Sequence, residues 1–201
     1  MIVLTSNGIT SDALLQEMKR HIHGGKAALV VTADNEYKEK NYHVSRLTEE
    51  LRLLGLAVEC FDFDNQKPED LREYDVVEMI GGNPYYLLKS IVANGFLDAL
   101  TYFAQKKCLV GCSAGSLVVT PSLELIDRYS PEMNIVGLQN LTACNLTDVQ
   151  VLPHYNKCLS RFENFEEKCR QYETENACTV VRLNDGDAVI IEGKKKQIIR
   201  K

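Results

Sequence analysis

Apolar residues follow two rhythms along this chain. Short runs recur as IVLT (2–5), AALVV (27–31), VECFDF (58–63), DVVEMI (75–80) and CLVG (108–111). Most lack polar–apolar alternation, which predicts strands of a parallel sheet covered on both faces. Between them the spacing changes. Val44, Leu47, Leu51 and Leu54 recur at steps of three, four and three, an apolar stripe that predicts a helix over 40–54. Leu97, Leu100, Phe103 and Ala104 predict another over 97–106, and Asp12 opens a first helix running to His23, stopped by Gly24-Gly25.

This strand–helix alternation predicts an α/β three-layer sandwich with a mostly parallel, doubly wound sheet. After Gly115 the rhythm weakens, and 120–147, rich in Thr, Asn, Pro and Ser, reads as an irregular excursion. VQVLPHY (149–155) returns as strand and RFENFEEKCRQYE (161–173) as helix. CTVVRL and DAVIIEGKKKQIIR close the chain with a strand and a hairpin about Gly193. No linker-like composition divides the chain, so residues 1–201 are expected to form one domain.

Composition narrows the function classes. Of the 201 residues 45% are hydrophobic and 25% charged, and the net charge is −5 with the two signs interspersed. That pattern suits a globular core and argues against a nucleic-acid stripe or polybasic membrane patch. No window approaches the roughly 18 apolar residues of a membrane helix, and MIVLTSNG reads as a strand rather than a leader. The seven cysteines form no C-x-x-C pair. Reduced thiols in a cytoplasmic protein are the expectation, with neither a disulfide framework nor a metal site.

The chemistry gathers at GCSAG (111–115), between the apolar runs CLV and LVV. Gly-x-Ser-x-Gly between a strand and a helix is the nucleophile-elbow arrangement. The reversal is too tight for side chains at the flanking positions, the serine stands clear at the carboxyl edge of the sheet, and the next helix presents a free N–H, that of Ala114, to an oxyanion. A serine nucleophile needs a base. His21, His23 and His43 belong to early amphipathic helices and read as surface residues, whereas His154 follows the strand VQVL and Pro153 at another probable strand end. A second oxyanion donor is expected from Gly82, in the Gly81-Gly82-Asn83 turn before a helix opened by Pro84. For the acid, Asp127, Asp148 and Asp185 all stand in play, and Cys112 reads as packing.

GGNPYYLL (81–88), GCSAGS (111–116), PHY (153–155) and LNDGDAVI (183–190) resemble, in order, the successive blocks of peptidase family S51, the group of peptidase E and cyanophycinase. The resemblance implies a fold like that of class I glutamine amidotransferases, with serine in place of the cysteine nucleophile. It implies Ser113 as nucleophile, His154 as base, Gly82 and Ala114 as oxyanion donors and Asn83 as a substrate contact. The late acid falls on Asp185, with Asp127 the alternative. Arg161, after the histidine, is the candidate cation for an aspartyl substrate, and is otherwise an exposed helix residue. The implied activity is hydrolysis of short peptides, with Asp-X dipeptides as candidates, without cofactor, by a monomer or homodimer. The alternatives are a hydrolase of a non-peptide ester or amide on the same triad and a non-catalytic small-molecule-binding member of the fold.

Overall fold

The computed structural model describes all residues 1–201. Nine strands form, β1 (Ile2–Thr5), β2 (Gly25–Val30), β3 (Leu56–Phe61), β4 (Val76–Met79), β5 (Cys108–Cys112), β6 (Gln150–Leu152), β7 (Val180–Arg182), β8 (Ala188–Glu192) and β9 (Lys195–Ile199). Eight helices accompany them, α1 (Asp12–Lys19), α2 (Val44–Arg52), α3 (Pro84–Ala93), α4 (Leu97–Lys106), α5 (Ala114–Val119), α6 (Glu124–Tyr129), α7 (Tyr155–Arg161) and α8 (Phe165–Glu175).

Seven strands make one sheet in the order β3-β2-β4-β5-β1-β8-β9. The first five run parallel, the inner ones on largely unbroken apolar runs while the marginal β3 alternates buried and exposed residues, and β8 and β9 add an antiparallel margin. The expected α/β architecture with its C-terminal hairpin is thus present. The core is continuous from Val3 and Leu4 through Leu29, Val77, Leu109 and Val110 to Val189, all essentially inaccessible to water.

Strand order decides where chemistry can gather. The adjacent strands β4, β5 and β1 end at one edge, so the segments that follow them, Gly81-Gly82, Ser113 and Ser6, meet there. Because β8 runs antiparallel to β1, with Thr5 opposite Ala188, the segment entering β8 also lies at this edge. It contains Asp185.

Several elements differ from the sequence expectation. The strand before His154 is not part of the main sheet, since β6 pairs in parallel with β7 alone. This pair is capped by α8 through a small apolar cluster containing Leu152, Val180, Phe165 and Cys169. The helix expected over 161–173 forms as α8 but starts only at Phe165, and a separate α7 ends at Arg161. Between them Asn164 takes a left-handed conformation (φ 52°) and lets Phe162 stack on Phe165 at 6.0 Å. The first helix ends at Lys19 rather than His23, and the second starts at Val44 after a 3-10 turn at Lys38–Lys40. The irregular excursion holds α6 and a bridge between Ser122 and Thr142.

Candidate active site

Ser113 sits between β5 and α5 with φ 51° and ψ −109°, a conformation rare for any residue with a side chain. The glycines around it explain how the turn closes. A Cβ on Gly111 would lie 2.6 Å from the backbone of Ser116, and one on Gly115 would lie 2.1 Å from the carbonyl oxygen of Met79. Both approaches exclude any larger residue. The strain, of order 1–3 kcal/mol for such a residue, is held by surrounding bonds. The Ser113 N–H donates to the Thr5 carbonyl at 3.1 Å, and its own carbonyl accepts from Leu117 N–H at 3.0 Å.

His154 is also left-handed (φ 55°), directly after β6 and Pro153. Its ring lies between the two partners expected of it. Nε2 is 2.9 Å from Ser113 Oγ, and Nδ1 is 2.6 Å from Asp185 Oδ1. An ionised carboxylate only accepts, so Nδ1 carries the proton and Nε2 offers its lone pair to the serine hydroxyl. Burial alone would raise the Asp185 carboxyl. Hydrogen bonds from Lys157, His154 and Ser6 outweigh it and hold the group down, at about 2. Asp185 is therefore charged at any working pH.

Two supporting residues escaped the sequence reading. Ser6 Oγ donates to Asp185 Oδ1 at 2.9 Å and accepts the His154 backbone N–H at 2.9 Å, locking acid and base together. Lys157 Nζ meets Asp185 Oδ2 at 2.5 Å. Ser6 had a usable signal, since it is a polar residue just past a strand, as Ser113 is. Lys157 had none beyond lying on the helix after His154.

The other sequence candidates divide. Gly82 (φ +148°) is so close to Ala33 that an added Cβ would lie 2.3 Å from its carbonyl oxygen. The backbone N–H groups of Gly82 and Ala114 find no acceptor in the protein. Asn83 is committed elsewhere. Its Oδ1 caps α3 by accepting from the N–H groups of Tyr85 and Tyr86, at 3.0 Å each, and its Nδ2 donates to the Met133 carbonyl at 2.7 Å. That leaves its side chain little to offer a substrate, and its service is to pin 131–133 beside the Gly82 turn. Asp127 accepts the Tyr85 hydroxyl at 3.2 Å, away from His154. Asp148 pairs with Lys196 at 2.7 Å on the surface. Arg161 ends α7 with its guanidinium 5.2 Å from the Phe162 ring centre and makes no ion pair. Cys112 is buried, and burial pushes its thiol up to about 12, which suits packing.

These groups face a cleft of about 900 Å³ lined by Ser113, His154 and Asp185 and by Gly81 and Gly82. His43, Arg46, Lys157 and Arg161 line it too, so it is rich in cations, with Glu132 and Asp185 its carboxylates. His43 was expected on the surface. It is instead half-buried, and its imidazole is held below its usual range by burial and by the charges of Arg46, His154 and Lys157. No group of three His, Cys, Asp or Glu side chains converges in a way that would hold a metal ion.

Comparison with known proteins places the chain in a family. The chain is 28% identical over 202 residues to the uncharacterized peptidase Lmo0363 of Listeria monocytogenes, covering 96% of this chain and 95% of the relative. It is 30% identical over 130 residues to the Streptomyces coelicolor peptidase E, covering 62% and 52%. It is 24% identical to a Drosophila melanogaster protein named as a probable alpha-aspartyl dipeptidase, covering 79% and 67%. A crystal structure from Listeria monocytogenes EGD-e, described as a candidate peptidase E, superposes with a TM-score of 0.80 at 27% identity, covering 100% and 98% of the two chains. The model of peptidase family S51 matches residues 2–199, all but the extreme termini, and the chain belongs to that family.

Proposed function

We propose that this peptidase is a cytoplasmic dipeptidase that works through an acyl-enzyme on Ser113. The observation that carries the reading is the hydrogen-bonded line Ser113–His154–Asp185, at 2.9 and 2.6 Å, opening onto a cleft with unspent cations.

Ser113 Oγ attacks the scissile carbonyl carbon while His154 Nε2 takes the hydroxyl proton. The oxyanion so formed accepts from the free N–H groups of Gly82 and Ala114. As the C–N bond breaks, the imidazolium returns the proton to the leaving amine. Water then attacks the ester carbon, giving a proton to Nε2, and the imidazolium returns that proton to Ser113 Oγ as the C–O bond breaks and the carboxylic acid is released. Asp185, kept ionised by Lys157 and Ser6, holds the imidazole tautomer through both halves.

Arg161 is the cation best suited to an acidic side chain on the acyl residue, since it is exposed in the cleft with no ion pair. This supports preference for Asp-X dipeptides, in line with the names of the relatives. Seven free cysteines suit a reducing compartment.

The test combines labelling with turnover. A small fluorophosphonate should label Ser113 stoichiometrically, with labelling lost in Ser113→Ala and reduced at least 100-fold in His154→Ala. A dipeptide library should yield free amino acids, with acidic first residues ahead. Absence of labelling at high reagent would overturn the serine mechanism. Cleavage of p-nitrophenyl esters with no dipeptide turned over would replace the dipeptidase by an esterase of the same chemistry.

A further inference from the structure

The cleft has a second cationic lobe that the triad does not use. Arg46, on α2, faces the cleft with 37% of its side chain exposed. Only one of its nitrogens is engaged, since Nη1 donates to Glu50 Oε1 while Nε and Nη2 meet no protein acceptor. Glu50 is 8% exposed and is itself fixed, its Oε2 accepting the Ile9 N–H at 2.7 Å. The segment after β1 closes tightly over the pair, since a Cβ on Gly8 would lie 2.5 Å from Glu50 Oε2 and 3.0 Å from Arg46 Nη1. The result is a cleft-lining, partly exposed guanidinium held by a buried carboxylate, with Nε and Nη2 left without a protein partner. A planar fork of that kind matches a carboxylate.

Arg46 shares the cleft with Ser113 and His154, three residues after His43 at the start of α2. Glu132 and Arg161 line the same cleft without forming an ion pair. Glu132 is anchored beside the Gly82 turn by the bond from Asn83 to its neighbour Met133. With Arg161 assigned to the acyl residue, Arg46 is the other guanidinium of the cleft with unengaged donors, which assigns it to the leaving side. Lys157 cannot take over the role of Arg46, because its ammonium is spent on Asp185.

We propose that Arg46 receives the free α-carboxylate of the leaving amino acid, so that the cleft selects peptides ending one residue past the scissile bond. This rests on the peptidase reading above. It adds an origin for exopeptidase length selection, since a buried-anchored cation left without its anion disfavours amidated or extended substrates.

The test compares each good dipeptide with its C-terminal amide. The wild type should favour the free acid by at least 10-fold in kcat/KM. Arg46→Gln should lower kcat/KM for the acid by 10- to 100-fold, mainly through KM, and leave the amide within twofold. Since Arg46→Gln strands the buried Glu50, Arg46→Gln/Glu50→Gln keeps an acceptor for Ile9 and removes the unpaired charge. It should melt near the wild type and show the same loss of acid preference. Equal turnover of acid and amide by the wild type, or equal loss on both substrates in the double variant, would overturn the assignment while leaving the dipeptidase intact. Absence of Ser113-dependent cleavage in both substrate series would overturn both readings together.

Discussion

At the amino edge of the sheet, His21 lies 3.6 Å from Glu17 and 3.2 Å from Glu192, in a surface depression shared with His23, Asp75, Lys106 and Lys107. At the carboxyl edge, His154 lies between a serine and a carboxylate at the shorter distances of 2.9 and 2.6 Å. Both edges bring histidines, acids and lysines together, yet they differ in the backbone that carries them. At the amino edge the charges answer one another, and even the chain's ammonium is spent on the Lys107 carbonyl at 2.8 Å. At the carboxyl edge Ser113 and His154 hold positive φ while carrying side chains, whereas among the residues lining the amino-edge depression only Gly24 does. Titratable side chains in company are common. Backbone strain beneath them is what sets the carboxyl edge apart.

That contrast can be attacked directly. The largest effect is expected from the acid. Asp185→Asn should lower kcat by roughly 10² to 10⁴ by presenting the wrong tautomer, whereas Asp127→Asn should stay within threefold. The amino-edge variants His21→Ala and Lys107→Ala should leave kcat/KM unchanged. Steady-state kinetics on one dipeptide decides all four. A pH profile sharpens the result. The Asp185 carboxyl is held down at about 2, so the stabilisation it gives the site is present above the ordinary carboxylate range and lost only as pH falls through about 2. Mild acid should therefore not mimic Asp185→Asn.

Gly82→Ala comes next. Its new Cβ has no room beside the Ala33 carbonyl, so the turn must shift and carry the free N–H away. A drop of about 10²-fold in kcat is expected, with KM little changed and fluorophosphonate labelling slowed in parallel. Retention of full activity would remove Gly82 from the oxyanion role.

The first half of the fold was legible because strands buried on both faces must be apolar throughout. Ser113 was legible because Gly111 and Gly115 report the same close approaches that the structure shows. His154 was found for a reason only half right, since it does follow a strand, but one outside the main sheet. Asp185 came from family resemblance. Nothing local marks it, because its place depends on β8 running antiparallel beside β1. His43, Arg46 and Lys157 were passed over because each sits in an ordinary helical pattern, and only the tertiary fold turns those faces to the cleft.

The smallest expected effect concerns Glu78, on β4 beneath the reactive edge. It is fully buried with neither carboxyl oxygen hydrogen-bonded. Burial, assisted by the Glu50 charge and opposed by Arg46, raises its carboxyl to about 8. The folded chain thus keeps a proton that the unfolded chain releases above the ordinary carboxylate range. Stability should fall as pH climbs from that range towards 8, by at most about 1.4 kcal/mol per unit. Glu78→Gln should remove that slope. Thermal melts at pH 5 and pH 8 would show the wild type losing ground to the variant at the higher pH, and parallel curves would count against a neutral buried acid.

The bond from Ser6 to Asp185 joins residues 179 positions apart. Synthesis proceeds from one terminus to the other, so a growing chain displays the serine of the elbow well before the group that orients its base. The segment that carries Asp185 is made after both Ser113 and His154. A polypeptide that has passed the elbow but has not reached Asp185 therefore lacks the carboxylate that meets the His154 ring.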